Sequence, residues 1–301
     1  MKQPTIANKK VTRYILQRFG IHMSKRLGQN FLIDANIVQG IVDAANVQEN
    51  DRVLEIGPGI GTLTQALAET GAEVTCVELD KRLPEVLAHT LDAYDNVRVI
   101  QGDILKVNIP EIMGDKPFKV VANLPYYITT PIIMALLEKH LPITDIVVMV
   151  QKEVAERMAA QPGGKTYGAL SVAVQYYTVP EIALYVPPRS FMPPPEVDSV
   201  VVNCKVRQTP AVELIDEKMF FRVVKAAFGQ RRKTLNNALK SMGVDKNIIA
   251  DVLDKAGIEA TRRGETLTME EFGAIANNLV QMAKHEEWIM KFLTCNLKGL
   301  R

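Results

Sequence analysis

Cysteine is scarce in this 301-residue chain. The three that occur, Cys76, Cys204 and Cys295, stand far apart with no C-x-x-C pair. That spacing argues against a disulfide framework or a thiolate zinc site and fits a reducing compartment. Four scattered histidines have no metal-ligand spacing either, so no metal is expected. No apolar run nears the roughly 18 residues that span a bilayer. The basic N-terminus also lacks the apolar stretch of a signal peptide. A cytoplasmic protein without a membrane partner is expected. Acids are missing from two stretches. Met1 to Ile33 holds seven Lys/Arg (Lys2, Lys9, Lys10, Arg13, Arg18, Lys25, Arg26) and no acid, and Lys218 to Lys240 holds seven more, again with none. The other 22 basic residues share the chain with all 34 acids. Two basic blocks on a nearly neutral chain point to a polyanion bound at defined faces. Two solvated helix faces are the plainer alternative.

With 47% hydrophobic residues the chain can bury a substantial core, enough for one large domain or a large and a small one. Its organising stretch is Val53 to Thr64, where the apolar run Val53, Leu54, Ile56 leads into Gly57, Gly59 and Gly61 and then a helical pattern. Strand, glycine turn and helix start bring backbone N–H groups close to a bound cofactor. The spacing is G-x-G-x-G and not the G-x-G-x-x-G of dinucleotide folds. Glu55, two residues before the first glycine, suits the α-ammonium and sulfonium of S-adenosylmethionine and would repel phosphate. A ligand-free glycine turn is the alternative.

Residues 8–19 have the spacing of a basic amphipathic helix, or of a mitochondrial presequence. Asp34 opens a second helix. From Arg52 strands and helices alternate: strands at 52–56, 73–77, 97–101, 118–122 and 145–150, helices near 61–70, 81–92 and 130–140. This alternation predicts a parallel α/β sheet. Strands at 182–187 and 198–206 bracket a proline-rich run and are expected to be antiparallel. Seven strands is the count of a class I, Rossmann-like methyltransferase sheet. Arg207 to Pro210 reads as a linker, and glycines punctuate the helical remainder. The expected division is a sheet domain over 1–209, a small all-α domain over 210–284 and a tail over 285–301 with no assigned role.

Ligands of doubly wound sheets bind beyond the carboxyl ends of the strands. The second strand ends at Glu78-Leu79-Asp80, where Glu78 can accept ribose hydroxyls beside Leu79. The third ends at Gln101-Gly102-Asp103-Ile104, where Asp103 can accept from an adenine amino group and Ile104 can pack on the ring. The fourth ends in Asn123-Leu124-Pro125-Tyr126. An exocyclic base amine is a poor nucleophile because its lone pair is delocalised into the ring. Side-chain and backbone carbonyls of Asn123 and Leu124 can together accept both amine hydrogens, which favours a pyramidal nitrogen. Tyr126 can stack on the base and hold it. Phe191 is a candidate second face of that clamp, or else an apolar anchor of the proline-rich loop.

These residues carry a resemblance. S-K-R-L-G-Q-N-F-L (24–32), E-I-G-P-G-I-G-T-L-T (55–64), N-L-P-Y-Y-I-T-T-P (123–131), Q-K-E-V-A-E-R (151–157), Y-G-A-L-S-V (167–172), F-M-P-P-P-E-V-D-S (191–199) and F-G-Q-R-R-K-T-L-N-N (228–237) are similar to the bacterial small-subunit rRNA adenine-N(6),N(6)-dimethyltransferases. The similarity runs from about residue 12 to 284. It implies dimethylation of two adjacent adenines near the 3′ end of that rRNA within an immature small subunit, with S-adenosylmethionine as methyl donor. Carried over by position, it implies cofactor contacts at Asn30, Leu32, Gly57, Glu78, Asp103 and Asn123, with Gln29 in the same segment, and a target base at Asn123, Leu124, Tyr126 and Phe191. Lys25 and Arg26, just before Gln29, and Arg231, Arg232 and Lys233 on the helical domain are the expected RNA contacts of a monomeric enzyme. A macrolide-resistance methyltransferase of large-subunit rRNA would read N-I-P-Y followed by S-T. A non-catalytic RNA-binding relative would not need the set Glu55, Glu78, Asp103 and Asn123.

Overall fold

A computed structural model describes residues 4–24 and 28–298, with side chains described as far as residue 283. Lys25 and Arg26 lie outside the described residues. In chain order the first elements are α1 (Lys9–Arg18), β1 (Phe31–Leu32), α2 (Ala35–Ala44), β2 (Arg52–Ile56), α3 (Thr62–Glu69), β3 (Glu73–Glu78), α4 (Leu83–Thr90) and β4 (Val97–Gln101). Then follow α5 (Ile109–Met113), β5 (Phe118–Asn123), α6 (Thr129–Leu137), β6 (Ile143–Gln151), α7 (Lys152–Met158) and α8 (Ala169–Tyr177). The chain continues with β7 (Thr178–Val186), β8 (Phe191–Met192), β9 (Ser199–Val206), α9 (Glu217–Gly229), α10 (Leu235–Leu239), α11 (Lys246–Lys255) and α12 (Met269–Lys298).

Seven strands form one sheet in the order β4-β3-β2-β5-β6-β9-β7. The first five are parallel, while β9 runs antiparallel to both β6 and β7. The class I methyltransferase sheet expected from the strand count is therefore present. Val120, Val121 and Ala122 of β5 and Val147 to Val150 of β6 are fully buried on both faces, as central strands covered by helices must be. Asp34 caps α2, its carboxylate accepting from the Asn36 N–H. A separate two-residue ladder pairs β1 with β8, Leu32 opposite Phe191.

The chain divides into two compact units, Met1–Ala159 with Tyr177–Arg207, and Ala160–Tyr176 with Gln208–Arg301. The second differs from the expected 210–284 domain by taking in residues 160–176. Aromatic packing is the reason: Tyr167 meets Phe228 edge-on at 5.7 Å, and Tyr176 lies 5.2 Å from Phe220. The Tyr167 hydroxyl also donates to the Leu267 carbonyl, 3.1 Å away. Pro162-Gly163-Gly164 marks a turn at its start, but nothing in the sequence shows with which unit the segment packs. Residues beyond 284, read as a tail, continue α12 as far as Lys298.

Candidate active site

The glycine loop leaves β2 in a conformation that only glycine adopts readily. Gly57, Gly59 and Gly61 have φ of +70°, +62° and +91°. At Gly59 space is short too, since a Cβ there would meet the Phe31 ring at 3.2 Å. The Gly59 N–H donates to Glu78 Oε2 (3.1 Å), and the Asp80 N–H donates to Glu78 Oε1 (2.7 Å). These two bonds fix the carboxylate at the carboxyl end of β3. Burial pushes its pKa above the ordinary glutamate value, against the pull of those N–H donors.

Beyond this strand end opens a cleft of about 1070 Å³, its mouth included. Gly57, Gly59, Glu78, Leu79, Asp103 and Ile104 line it, and so do Gln29, Asn30, Leu32, Asn123, Leu124 and Tyr126. Ile104 is buried and Leu79 exposed, so apolar surface borders the two acids. One Asp103 oxygen accepts from the Leu105 N–H at 3.1 Å, which orients the carboxylate.

Asn123 sits at the lip, where β5 ends. Its Nδ2 donates to the Asn30 carbonyl (3.2 Å), which sets the amide so that Oδ1 is the end left to accept. Pro125 follows with φ of −61°, and its carbonyl accepts from the Ile128 N–H and the Thr129 hydroxyl, each at 3.1 Å. This turn holds Tyr126, whose hydroxyl shares a 2.6 Å hydrogen bond with Ser199 of β9. Burial raises the Tyr126 pKa, so the phenol stays protonated. An oriented amide oxygen beside a pinned ring can hold a planar base and accept from its amine.

A family model described as ribosomal RNA adenine dimethylase matches residues 20–275. The chain belongs to this family. It is a methyltransferase whose cofactor is S-adenosylmethionine. The ribosomal RNA small subunit methyltransferase A of Alkaliphilus oremlandii (strain OhILAs) is 51% identical over 282 residues, 92% of this chain and 98% of that protein. A crystal structure of a dimethyladenosine transferase from Plasmodium falciparum is 27% identical with a TM-score of 0.71, covering 84% of this chain and 98% of the other. That of the 23S rRNA methyltransferase ErmE is also 27% identical, with a TM-score of 0.66 over 83% and 99% of the two chains.

The cleft of this adenine dimethylase suits that cofactor. Thr62 Oγ1, in the cleft wall at the start of α3, is buried without a hydrogen-bond partner among the described residues. An orphaned hydroxyl there awaits a polar group. Glu78 keeps acceptor capacity beyond its two N–H donors, as ribose hydroxyls require.

Several expected site residues take other positions in the enzyme. Phe191, read as clamp or anchor, is only 3% exposed and packs in the core with Leu32, outside the cleft wall. Gly61 also stands outside the wall, where it begins α3 against Leu91 and Thr90. Gln29 reaches the wall, yet both ends of its amide are engaged. Its Nε2 donates to Asp80 (2.8 Å) and its Oε1 accepts from the Ser24 N–H (2.9 Å). Arg82 holds that Asp80 carboxyl down at about 2 through its side-chain hydrogen bonds. Arg231, grouped with Arg232 and Lys233 as a phosphate contact, is exposed and donates through Nη2 to the carbonyls of Lys165 (2.8 Å) and Tyr167 (3.0 Å) within the helical unit. Sequence reading passed over Ser199, and over Thr62 and the exposed Tyr127 of the cleft wall. Thr62 follows the last glycine directly, the one signal that pointed to it.

Glu55 forms part of the cleft floor but turns its carboxyl inward, accepting from Cys76 Sγ (3.5 Å) and from Thr64. Burial pushes its pKa from 4.5 up to about 7. The folded enzyme therefore holds this proton where an unfolded chain has lost it. Stability is highest below pH 4.5 on this account and falls as pH rises to about 7, by about 3 kcal/mol in all. Glu55→Gln is expected to remove that part of the pH dependence. Urea unfolding of cofactor-free protein at pH 5 and pH 8 checks it, and parallel losses in both proteins would refute it.

Proposed function

We infer that this enzyme dimethylates adenine amino groups of small-subunit ribosomal RNA, acting on two adjacent adenines near its 3′ end. The oriented amide of Asn123 beside Tyr126 is the observation that supports this reading most. Small-subunit relatives at about half identity favour it over a large-subunit substrate. S-adenosylmethionine, when bound, supplies an electrophilic methyl group on sulfonium sulfur. Glu78 would accept from its ribose hydroxyls, Asp103 and Ile104 would hold its adenine, and Gly57, Gly59 and Thr62 would meet its amino-acid end.

Asn123 Oδ1 and the Leu124 carbonyl accept the two hydrogens of the target amine, and Tyr126 stacks on the base. Drawing both hydrogens to one side frees the nitrogen lone pair from the ring. After the first transfer the nitrogen gives up one proton to solvent and keeps one hydrogen, so one acceptor suffices to orient the second. The enzyme acts as a cytoplasmic monomer on an immature subunit. Labelled methyl transfer to small subunits that lack the modification, followed by mapping, tests the reading. Label in large-subunit RNA alone would overturn it.

Arg232 and Lys233 are exposed on the helical unit and supply phosphate contacts there. Arg232→Ala/Lys233→Ala is expected to lower the log–log salt slope of subunit binding by about 0.7–0.9 for each phosphate left without its cation. Arg231→Ala should instead lower the thermal stability of the helical unit. Equal effects of the two variants on slope would refute that separation.

A further inference from the structure

We propose that the exposed face of α1 docks the sugar–phosphate backbone of the RNA that carries the target adenine. The proposal deepens the reading of ribosomal RNA as substrate and rests on it. At 3.6 residues per turn, Lys9, Arg13, Gln17, Lys10, Tyr14 and Arg18 follow one another around one half of the helix. All six are exposed and none is acidic. The other half is buried, with Thr12, Ile15 and Leu16 no more than 7% exposed.

Three observations separate this face from an ordinary solvated one. Among the described residues no carboxylate lies within ion-pair distance of Lys9, Lys10, Arg13 or Arg18. Lys9 and Lys10 occupy the first helical turn, where the helix dipole disfavours cations and where no acid compensates. The helix forms nonetheless because Asn8 caps it, accepting from the Lys10 and Val11 N–H groups, and because its apolar half is buried. Local electrostatics at the helix start are thus unfavourable in the free protein, and a polyanion lying along the face relieves them. Finally, Tyr14 is 58% exposed in the middle of the basic residues, and its hydroxyl accepts from Arg18 Nη1 at 3.2 Å. An open aromatic ring flanked by a guanidinium suits sugars and bases.

A membrane is the wrong partner, because the apolar half of α1 is spent on the protein's own core and nothing remains to insert. That same packing ties the face to the reaction. Ile15 and Leu16 share a core cluster with Phe31 and Leu83, and these two also line the cofactor cleft. RNA gripped on the outer face of α1 is therefore tied, through the helix, to residues of the cleft wall.

The test uses the full chain and small subunits lacking the modification, with binding measured across a potassium chloride series. Lys10→Ala/Arg13→Ala/Arg18→Ala is expected to lower the log–log slope by about 0.7–0.9 for each phosphate no longer neutralised. Its S-adenosylmethionine affinity, measured by calorimetry, should stay unchanged. Gln17→Lys adds a charge at the centre of the face and should steepen the slope by the same amount for one phosphate, a result that survives any misfolding of the triple variant. Unchanged slopes in both variants, with the parent enzyme methylating normally, overturn the proposal alone. A parent enzyme that neither binds nor methylates the subunit overturns the RNA reading and this proposal together.

Discussion

Asn123→Ala is expected to lower the methyl-transfer rate by about 10²-fold, the scale for losing one preorganised partner of a reacting group. Affinity for the subunit should hardly change, since the hydrogen bond that is removed strengthens only as the amine pyramidalises. Asn123→Asp makes the sharper comparison. It keeps an acceptor but cannot donate to the Asn30 carbonyl 3.2 Å away, and it sets a charge against that oxygen. It should therefore be about as slow as the alanine variant. Single-turnover methylation at saturating enzyme measures both. A near-normal rate for Asn123→Asp would mean that the bond to Asn30 does not orient the amide, and a near-normal rate for Asn123→Ala would end the clamp mechanism.

Glu78→Ala is expected to weaken S-adenosylmethionine binding by about 1.5–3 kcal/mol, the range for hydrogen bonds to a charged group. Its carboxylate also accepts from the N–H groups of Gly59 and Asp80, so the glycine loop and the end of β3 lose their tie as well. Calorimetry on folded variant protein reads the loss directly. Glu78→Gln should lie between, because one amide oxygen still accepts while the amide nitrogen faces a backbone donor. Unchanged affinity in Glu78→Ala would remove this residue from the site.

The sheet was legible because its strands are local signals. Val53 to Ile56 and Phe118 to Asn123 are short apolar runs next to glycine or an Asn-Leu-Pro turn, and such runs fold as read. Cleft residues at strand ends, Glu78, Asp103 and Asn123, followed from the rule that ligands gather there. What stayed hidden depends on distant partners. The two-residue strands β1 and β8 have no periodicity to detect, so the pairing of Phe191 with Leu32 could not be read from either segment. Arg231 resembles its neighbours Arg232 and Lys233 in sequence, and its Nη2 bonds to carbonyls more than sixty residues away cannot be read there. Gln29 has the same history with Asp80. Identity in a motif locates a residue near the site, but only packing decides whether its polar end faces inward or outward.

The ladder between β1 and β8 also sets a timetable for synthesis. Phe31 and Leu32 leave the ribosome early, and their partners Met192 and Phe191 leave only when most of the sheet unit has been made. The Ile33 N–H waits in the same way for the Ser190 carbonyl, 2.9 Å away in the finished fold. Until then a nascent chain holds its glycine loop beside a rim that lacks a strand partner, and Tyr126 lacks Ser199 to pin it. Translation must pass the proline-rich run and β9 before β1 and Tyr126 have these partners. A chain cut short within that run would carry every residue of the cleft wall and still leave β1 and Tyr126 without their later partners.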